Sequence, residues 1–306
     1  MFQSLLSVIS LILIIILGWW LRRIRLFPKS AQKIVSKIMV NLTMPGVVIY
    51  SFAGASLDSS TSLIALLGLV TAAVPMLLSL PLTRGLHKNL RVYSMINSAG
   101  FNIGCFALPF IMNTFGPAGA AIVIMFDAGN SLVVCGGSYS LATSLFGQKM
   151  RKRDITKSIA RELAKSPPFL TSLTMLLWVL TGIPIPEALV TLSKPAALAN
   201  SFIAMLLLGL MFKADFSPVK MRSAALVILL RLAVNGFMAA LVYFFLPYPV
   251  EARYALMLAM IAPVTSLGPI FTDRAGADGG LASFTVSLSI PISVVIITVM
   301  ILAMTG

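Results

Sequence analysis

Two ionisable side chains, Asp127 and Arg231, lie deep inside long apolar stretches of this sequence. A charge that faces lipid costs roughly 2.5 to 3.5 kcal/mol on insertion scales, so both are expected to face the protein interior. Asn130 and Ser131 share the helix face of Asp127, and Asn235 shares that of Arg231. This pattern predicts a polar cavity inside a membrane.

Counting from the ends of their stretches places Asp127 and Arg231 within about 3 Å of the bilayer midplane. Two interpretations stay open for the pair. In the first, Asp127 carries a coupling proton or cation and Arg231 neutralises the charge of a substrate. In the second, the two side chains form a structural ion pair that holds two helices together.

The sequence gives little support to enzyme chemistry. Its one histidine, His87, lies in a basic loop, so neither a histidine zinc triad nor an HExxH motif exists. A phosphate-binding GxxxxGK[ST] motif is also missing from the sequence. Cys105 and Cys135 both lie in apolar segments, and their number and spacing indicate no disulfide framework or metal site. We therefore predict a protein that is not an enzyme and has no cofactor or metal, although H⁺ or Na⁺ coupling is open.

The elements that must position these residues are membrane spans. Of 306 residues, 58% are hydrophobic and only 10% are charged, whereas soluble domains carry roughly 25% charged residues. Apolar runs long enough to cross about 30 Å of hydrocarbon recur along the chain. We predict an all-α polytopic membrane protein with ten transmembrane helices, at 2–21, 38–55, 62–83, 92–112, 119–145, 168–183, 195–212, 222–246, 253–272 and 281–304.

The basic residues predict the orientation of these spans. Of the 23 lysines and arginines, 20 fall in loops that follow odd-numbered spans. By the positive-inside rule, these loops lie in the cytoplasm and both termini lie outside, in a multi-pass protein of the plasma (inner) membrane. Because orientation accounts for the net charge of +14, we predict no nucleic-acid partner.

A shift of 160 residues superimposes two short motifs, Pro109-x6-Gly116-x2-Gly119 and Pro269-x6-Gly276-x2-Gly279. They fall within spans four and nine and the turns that follow. Because each half holds five spans, an odd number, the second copy must be inverted in the membrane relative to the first. This 5+5 inverted repeat is an architecture of secondary transporters.

The repeat divides the chain into a first five-helix unit at 1–145 and a second, inverted unit at 168–306. The connector at 146–167 carries Ile159 and Leu163 on one face and basic residues on another. We predict that it lies along the cytoplasmic interface as an amphipathic segment.

Spans four and nine are rich in helix-breaking residues, with Gly100, Gly104 and Pro109 in one and Gly268 and Pro269 in the other. Proline removes a backbone donor and glycine lowers helix propensity, so both spans are expected to unwind. Lipid cannot satisfy the freed groups, which must therefore face protein or water. The simpler alternative is that these residues only kink packed helices.

If the spans unwind, the breaks at Asn102 and Pro263 lie about 15 Å deep and meet at the midplane. Two half-helix N-termini then point toward one place, which favours an anion such as a carboxylate. The candidate substrate-binding residues are Asn102, Pro263, Thr265, Ser266 and Arg231, with Asn41 and Pro45 as scaffold-side candidates. The candidate ion-coupling residues are Asp127, Asn130 and Ser131.

In this order and spacing, five segments resemble the auxin efflux carrier family of bacterial and plant transporters. They are LGWWLRRIRLF, NLTMPGVVIYSF, NSAGFNIGCFALPF, SPPFLTSLTMLLWVLTGIPIP with MLLLGLMF, and APVTSLGPIFTDRAGADGGLAS. The resemblance implies a fold like that of sodium/proton antiporters and bile-acid symporters, with helices four and nine broken and crossed. It also implies elevator-type transport of organic anions, with spans one, two, six and seven as the scaffold.

The sequence therefore predicts a secondary transporter of a small organic anion, either a carboxylate or a dicarboxylate. Its expected partners are this substrate and the lipid bilayer, with a homodimer as an open alternative. The alternatives to a coupled carrier are a uniporter, an anion channel or a membrane receptor; in the first two, Asp127 and Arg231 would be a structural ion pair. A receptor is disfavoured because no loop is large enough for an extramembrane domain.

Overall fold

The computed structural model describes residues 2–28, 30–53, 61–147, 152–212 and 218–305. The regular structure of these residues is helical, which lets apolar segments satisfy their backbone groups inside lipid. The helices are α1 (Phe2–Arg23), α2 (Ala31–Ile38), α3 (Met44–Ala53), α4 (Thr61–Leu82), α5 (Lys88–Ser98), α6 (Leu108–Leu132), α7 (Ser138–Phe146), α8 (Lys152–Ala164), α9 (Pro167–Leu180), α10 (Glu187–Met211), α11 (Pro218–Phe245), α12 (Val250–Met260), α13 (Gly268–Arg274) and α14 (Gly279–Thr305). π-helical segments lie at Met39–Thr43, Ile103–Ala107 and Val133–Gly137.

Within the described chain, seven helical stretches are long and apolar enough to cross a membrane. They are Leu6–Arg23, Ala31–Ala53, Leu63–Leu82, Ile103–Phe146, Glu187–Met211, Lys220–Phe245 and Gly279–Met304, and a shorter apolar helix spans Pro167–Leu180. The longest of these is divided at Gly116, whose backbone is not helical. The prediction of a polytopic helical membrane protein is confirmed.

Span seven begins earlier than the sequence predicts. α10 starts at Glu187, eight residues before the predicted start at 195, and Pro195 lies inside the helix. Pro186 occupies the N-cap position, and Glu187 lies in the first turn, where a negative charge interacts favourably with the helix dipole. An internal proline is tolerated because neighbouring helices in a membrane protein can satisfy the freed backbone groups.

Span two also begins earlier, at Ala31 rather than at residue 38. Ala31 is buried, whereas Lys33 and Lys37 are exposed, so the charged side chains extend from one face of α2 without ending the helix. The helix then passes through the π-helical segment Met39–Thr43 into α3. The predicted end at residue 55 lies outside the described residues.

The backbone leaves the helical conformation inside both spans that were predicted to be broken. α5 ends at Ser98, and residues 99–102 are not helical before the next helical segment begins at Ile103. α12 ends at Met260, and residues 261–267 are not regular helix before α13 begins at Gly268.

Two groups of helices enclose these breaks. In the first group, α10 packs against α1 and α3. The backbones of α1 and α10 approach so closely at Gly18 and Gly209 that a Cβ on either would overlap a carbonyl of the other helix. Thr43 Oγ1 adds a buried hydrogen bond of 2.8 Å to Asn200 Oδ1. In the second group, α6 packs against α4 and α12, while α14 packs against α11 and α13.

Candidate functional site

The two breaks are in direct contact. The backbone N–H of Asn102, in the first break, donates a 3.1 Å hydrogen bond to the carbonyl of Pro263, in the second. Asn130 of α6 fixes the residue before it, because Asn130 Oδ1 accepts from the Phe101 N–H at 2.9 Å and Asn130 Nδ2 donates to the Phe101 carbonyl at 3.1 Å. The side chain of Asn130 thus replaces the helical partners that the break takes away.

Arg231 of α11 joins the two breaks from a different direction. Its Nη1 donates to the carbonyls of Ser98, at 3.0 Å, and Gly100. Its Nη2 donates to the carbonyls of Ala262, at 3.2 Å, and Pro263, at 3.5 Å. These carbonyls lie where α5 and α12 end, and a helix C-terminus carries partial negative charge. A single buried guanidinium therefore compensates the C-terminal ends of both half-helices.

This position bears on the second interpretation of Arg231, the structural ion pair with Asp127, whereas neutralisation of a substrate charge stays a prediction. Its donors are engaged by carbonyls, and it lies on a small separate cavity of about 20 Å³ together with Pro263. In the described chain, Arg231 and Asp127 form no ion pair; Asp127 Oδ1 instead accepts a 2.8 Å hydrogen bond from Asn130 Nδ2. The two charged side chains line different cavities, because Arg231 lies on the small one and Asp127 on a larger one.

A cavity of about 360 Å³, here called the central cavity, opens at the contact between the breaks. Most of the polar residues predicted for substrate binding or coupling line it: Asn102, Asp127, Asn130, Ser131, Thr265 and Ser266. A second cavity of about 490 Å³ shares Cys105 and Ser266 with it. Because both cavities are also lined by Leu267 and Ile270, they flank α13.

Asn102 lines the central cavity and carries an unused donor. Its side chain is 5% exposed, and its Nδ2 has no hydrogen-bond partner among the described residues. Gly104 also lines the cavity, in the first turn of the helical segment that begins at Ile103. Since the first N–H groups of a helix have no intrahelical partner, this end carries partial positive charge. A buried amide donor beside a helix N-terminus suits a negatively charged group.

The second break adds two hydroxyl groups. Thr265 is buried, and its Oγ1 accepts a weak 3.3 Å hydrogen bond from the Leu267 N–H, which leaves its own proton for another acceptor. Ser266 is half-buried and, like Cys105, lines both cavities. The two breaks therefore contribute an amide and two hydroxyl groups to the central cavity.

The remaining predicted residues lie elsewhere. Asn41 is exposed, donates to the carbonyl of Lys37 in its own helix at 2.7 Å, and lines neither cavity. Gly100 lies in the first break, where its positive φ of 60° changes the direction of the backbone. Pro109 is buried near the start of α6, Gly268 packs against Asn97, and Pro269 lines the second cavity. The crossover residues shape the breaks without forming the polar surface of the central cavity.

Sequence reasoning missed the charged rim of the central cavity, formed by Glu162, Lys165 and Arg274. The signal was present, because Lys165 and Arg274 were counted among the cytoplasmic charges, but their convergence depends on how α8 packs. No group of three His, Cys, Asp or Glu side chains that could hold a metal occurs in the described part of the chain.

Comparisons with known proteins agree with this geometry. A family model described as membrane transport protein matches residues 4–301, almost the whole chain. A search of curated proteins finds no significant match. The match indicates a transporter rather than an enzyme, and it confirms the resemblance found in the sequence. The chain belongs to the auxin efflux carrier family of membrane transport proteins.

Proposed function

We propose that this protein is a secondary transporter of a small organic anion, whose carboxylate binds in the central cavity beside Asn102. The observation that carries the proposal is the Asn102 Nδ2 group, a buried donor that has no partner in the described structure and belongs to a residue lining the cavity. A buried polar group left unsatisfied is unfavourable, so a ligand acceptor would stabilise it. Thr265 and Ser266 would supply further donors.

The central cavity favours one carboxylate in its deep part. Asp127 is the charged side chain there, while the basic side chains of the cavity lie at its rim. Apolar residues such as Met44, Ile124 and Phe169 cover much of the remaining wall and would contact the body of the substrate. A second carboxylate would have to reach toward Lys165 and Arg274.

We propose ten spans in two inverted repeats, which the match of local structures at a separation of 160 residues supports. α6 begins at Leu108 and α13 at Gly268, each with a proline as its next residue. Gly116 and Gly276, which end the two half-helices, both have positive φ, 67° and 76°. The preceding half-helices, α5 and α12, each contain 11 residues.

An elevator movement would take place between two groups of helices that meet at the cavities. Spans two, six and seven contribute Val40, Ser172 and Leu207 to one side. The broken spans and their neighbours contribute the other side, including Asn102 and Ser287. This arrangement supports a scaffold of spans one, two, six and seven, with the substrate site carried by the rest.

We further propose that the protein lies in the plasma (inner) membrane with its basic loops in the cytoplasm and both termini outside. Both cavities extend to basic residues that the sequence assigns to the cytoplasmic side, Lys165 and Arg274 in one and Lys33 and Lys37 of α2 in the other. On this orientation the cavities open toward the cytoplasm, and the described conformation is inward-facing.

The coupling role belongs to Asp127. Its carboxylate lines the central cavity and accepts a hydrogen bond from Asn130, the residue that fixes the first break. Binding of a proton or Na⁺ there would remove a negative charge beside the substrate anion and would thus couple the two. Without coupling, the same cavity would serve a uniporter.

Flux in proteoliposomes tests the function. A thermal-shift screen over mono- and dicarboxylates first selects a ligand, and labelled ligand should then show saturable uptake and counterflow. Asn102→Ala should weaken the apparent affinity by about 10- to 100-fold, since a hydrogen bond to a charged group contributes about 1.5 to 3 kcal/mol. Asn41→Ala is the matched control, because its amide lies outside both cavities.

Three outcomes would contradict parts of this proposal. Ohmic current without saturation would indicate a channel. An unchanged affinity in Asn102→Ala would remove the assigned site. In Asp127→Asn, which keeps an acceptor for Asn130, uptake driven by an ion gradient should vanish while counterflow survives; normal accumulation would rule out the coupling role.

A further inference from the structure

Charged side chains surround the cytoplasmic rim of the central cavity. Lys165 and Arg274 are basic, and Glu162 is acidic. They come from two separate elements, because Glu162 and Lys165 lie at the end of α8 and just beyond it, whereas Arg274 lies in the last turn of α13. An anion that enters from the cytoplasm would meet these residues before it meets Asn102.

Glu162 and Arg274 are paired in the described conformation. Glu162 Oε1 lies 3.6 Å from Arg274 Nη1, and the side chains are 32% and 53% exposed. A pair that is long and solvated is weak, so another carboxylate can compete for the guanidinium. Arg274 also lies over the ring of Phe271, 5.6 Å from its centroid, and that ring lines the same cavity.

The backbone that presents Glu162 is held in place by packing. The adjacent Leu163 is buried, and Ile159, one turn earlier, lies against the backbone of Gly136 in the π-helical segment before α7. α8 therefore docks on the helices of the cavity wall, and Glu162 is directed to Arg274. This positioning distinguishes Glu162 from an acidic residue on a solvated loop.

We propose that Arg274 and Lys165 form a second anion-binding site at the cytoplasmic mouth, and that Glu162 is a built-in carboxylate that occupies Arg274 when this site is empty. The ligand class is a carboxylate, the same as for the central cavity, so this inference rests on the proposed function. Arg274 presents a planar fork that matches a carboxylate, and Lys165 adds a second positive charge.

The positive charges of the mouth site would offset the repulsion between the Asp127 carboxylate and an entering anion. The deep cavity contains Asp127 but no lysine or arginine, so its field alone would repel an entering anion. Positive charge at the mouth raises the local concentration of anions. When a substrate carboxylate displaces Glu162, one ion pair replaces another, and Arg274 is never left without a partner.

The reactivity of Cys105 tests the site without any need for the transported substrate. Cys105 lines the central cavity, and only one other cysteine, Cys135, occurs in the chain. In full-length Cys135→Ser protein in lipid nanodiscs, mass spectrometry can follow Cys105 modification by anionic and cationic methanethiosulfonates of similar size. Because Cys105 also lines the second cavity, the change in the ratio of the two rates on mutation of a mouth residue reports the potential along the path from the mouth.

At low ionic strength, Arg274→Gln should lower the anionic-to-cationic rate ratio about threefold or more, and Glu162→Gln should raise it by a similar factor. Both changes should shrink in 1 M salt. Arg84→Gln, which removes an exposed arginine that lies on neither cavity, should leave the ratio unchanged and is the matched control.

An Arg274→Gln ratio equal to that of the parent would overturn the mouth site. An unchanged ratio in Glu162→Gln would overturn the role of Glu162 as competitor. These results are independent of the transport assay. If the ratio shifted as expected but no carboxylate flux occurred, the proposed function would be contradicted and the electrostatic role of the mouth residues would still stand.

Discussion

The two breaks differ in how they are held. The first contains four non-helical residues, 99–102, and its Phe101 is fixed through both its N–H and its carbonyl by Asn130. The second contains seven residues, 261–267, and the side chain of Ser289 binds one of its N–H groups, that of Val264, at 3.2 Å. Arg231 contacts both breaks.

This difference indicates that the two breaks have different roles in the site, although both interrupt a helix. A rigid first break keeps Asn102 in place on the wall of the central cavity, so little ordering would be needed when a ligand binds. The less tethered second break supplies hydroxyl groups next to α13, a helix of seven residues that lies between two cavities. We interpret the first break as the fixed part of the site and the second as its adaptable part.

The largest expected effect is that of Arg231→Met, which would separate the two breaks. It leaves four carbonyl contacts without their donor in the interior, and we expect a loss of roughly 3 kcal/mol or more of stability. The measurement is the thermal unfolding midpoint in detergent. Arg231→Lys should be intermediate, since one ammonium group cannot reproduce the fork of two Nη groups.

Lys194→Met is the control for Arg231→Met, because Lys194 is an exposed basic residue in α10. If the two variants unfolded at the same temperature, Arg231 would not join the breaks as its contacts indicate.

The second prediction compares the tethers of the two breaks. Asn130→Ala leaves the Phe101 N–H and carbonyl unsatisfied, which should cost about 2 to 4 kcal/mol. Ser289→Ala leaves one N–H unsatisfied and should cost about 1 kcal/mol. Hydrogen exchange should accelerate at the first break in Asn130→Ala. Equal costs would contradict the distinction between a fixed and an adaptable break.

The sequence predicted the breaks because glycine and proline act locally. Gly100 and Pro269 mark them without knowledge of the tertiary structure, and the polar residues beside them, Asn102 and Thr265, line the same cavity. The direction of a long side chain was not predictable in this way. Arg231 was expected to face the interior, where it is buried, but packing alone decides that its guanidinium faces carbonyl groups and not Asp127.

Charges that converge from distant parts of the chain were also beyond the sequence. Glu162 and Arg274 are separated by more than a hundred residues, and neither belongs to a recognisable motif. The start of span two at Ala31 was also not predicted. Lysines in a sequence usually mark the end of a membrane span, but here they lie on one face of a helix that continues past them. Local backbone breaks were predictable, whereas the direction of a long side chain and the convergence of charges from distant segments were not.

The last prediction concerns a feature in which the two halves of the chain should be alike. Gly116 and Gly276 end the corresponding half-helices with positive φ, and an added Cβ would meet open space at both. Alanine at either position should therefore cost only the backbone strain, about 1 to 3 kcal/mol, without a steric clash. Gly236→Ala, in the regular helix α11, should instead stabilise the protein by roughly 0.5 to 1 kcal/mol. Similar losses of stability at Gly116 and Gly276 would support a common backbone conformation in the two halves, although different side chains hold their breaks. A loss of stability at only one of the two glycines would mean that the turns of the two halves also differ.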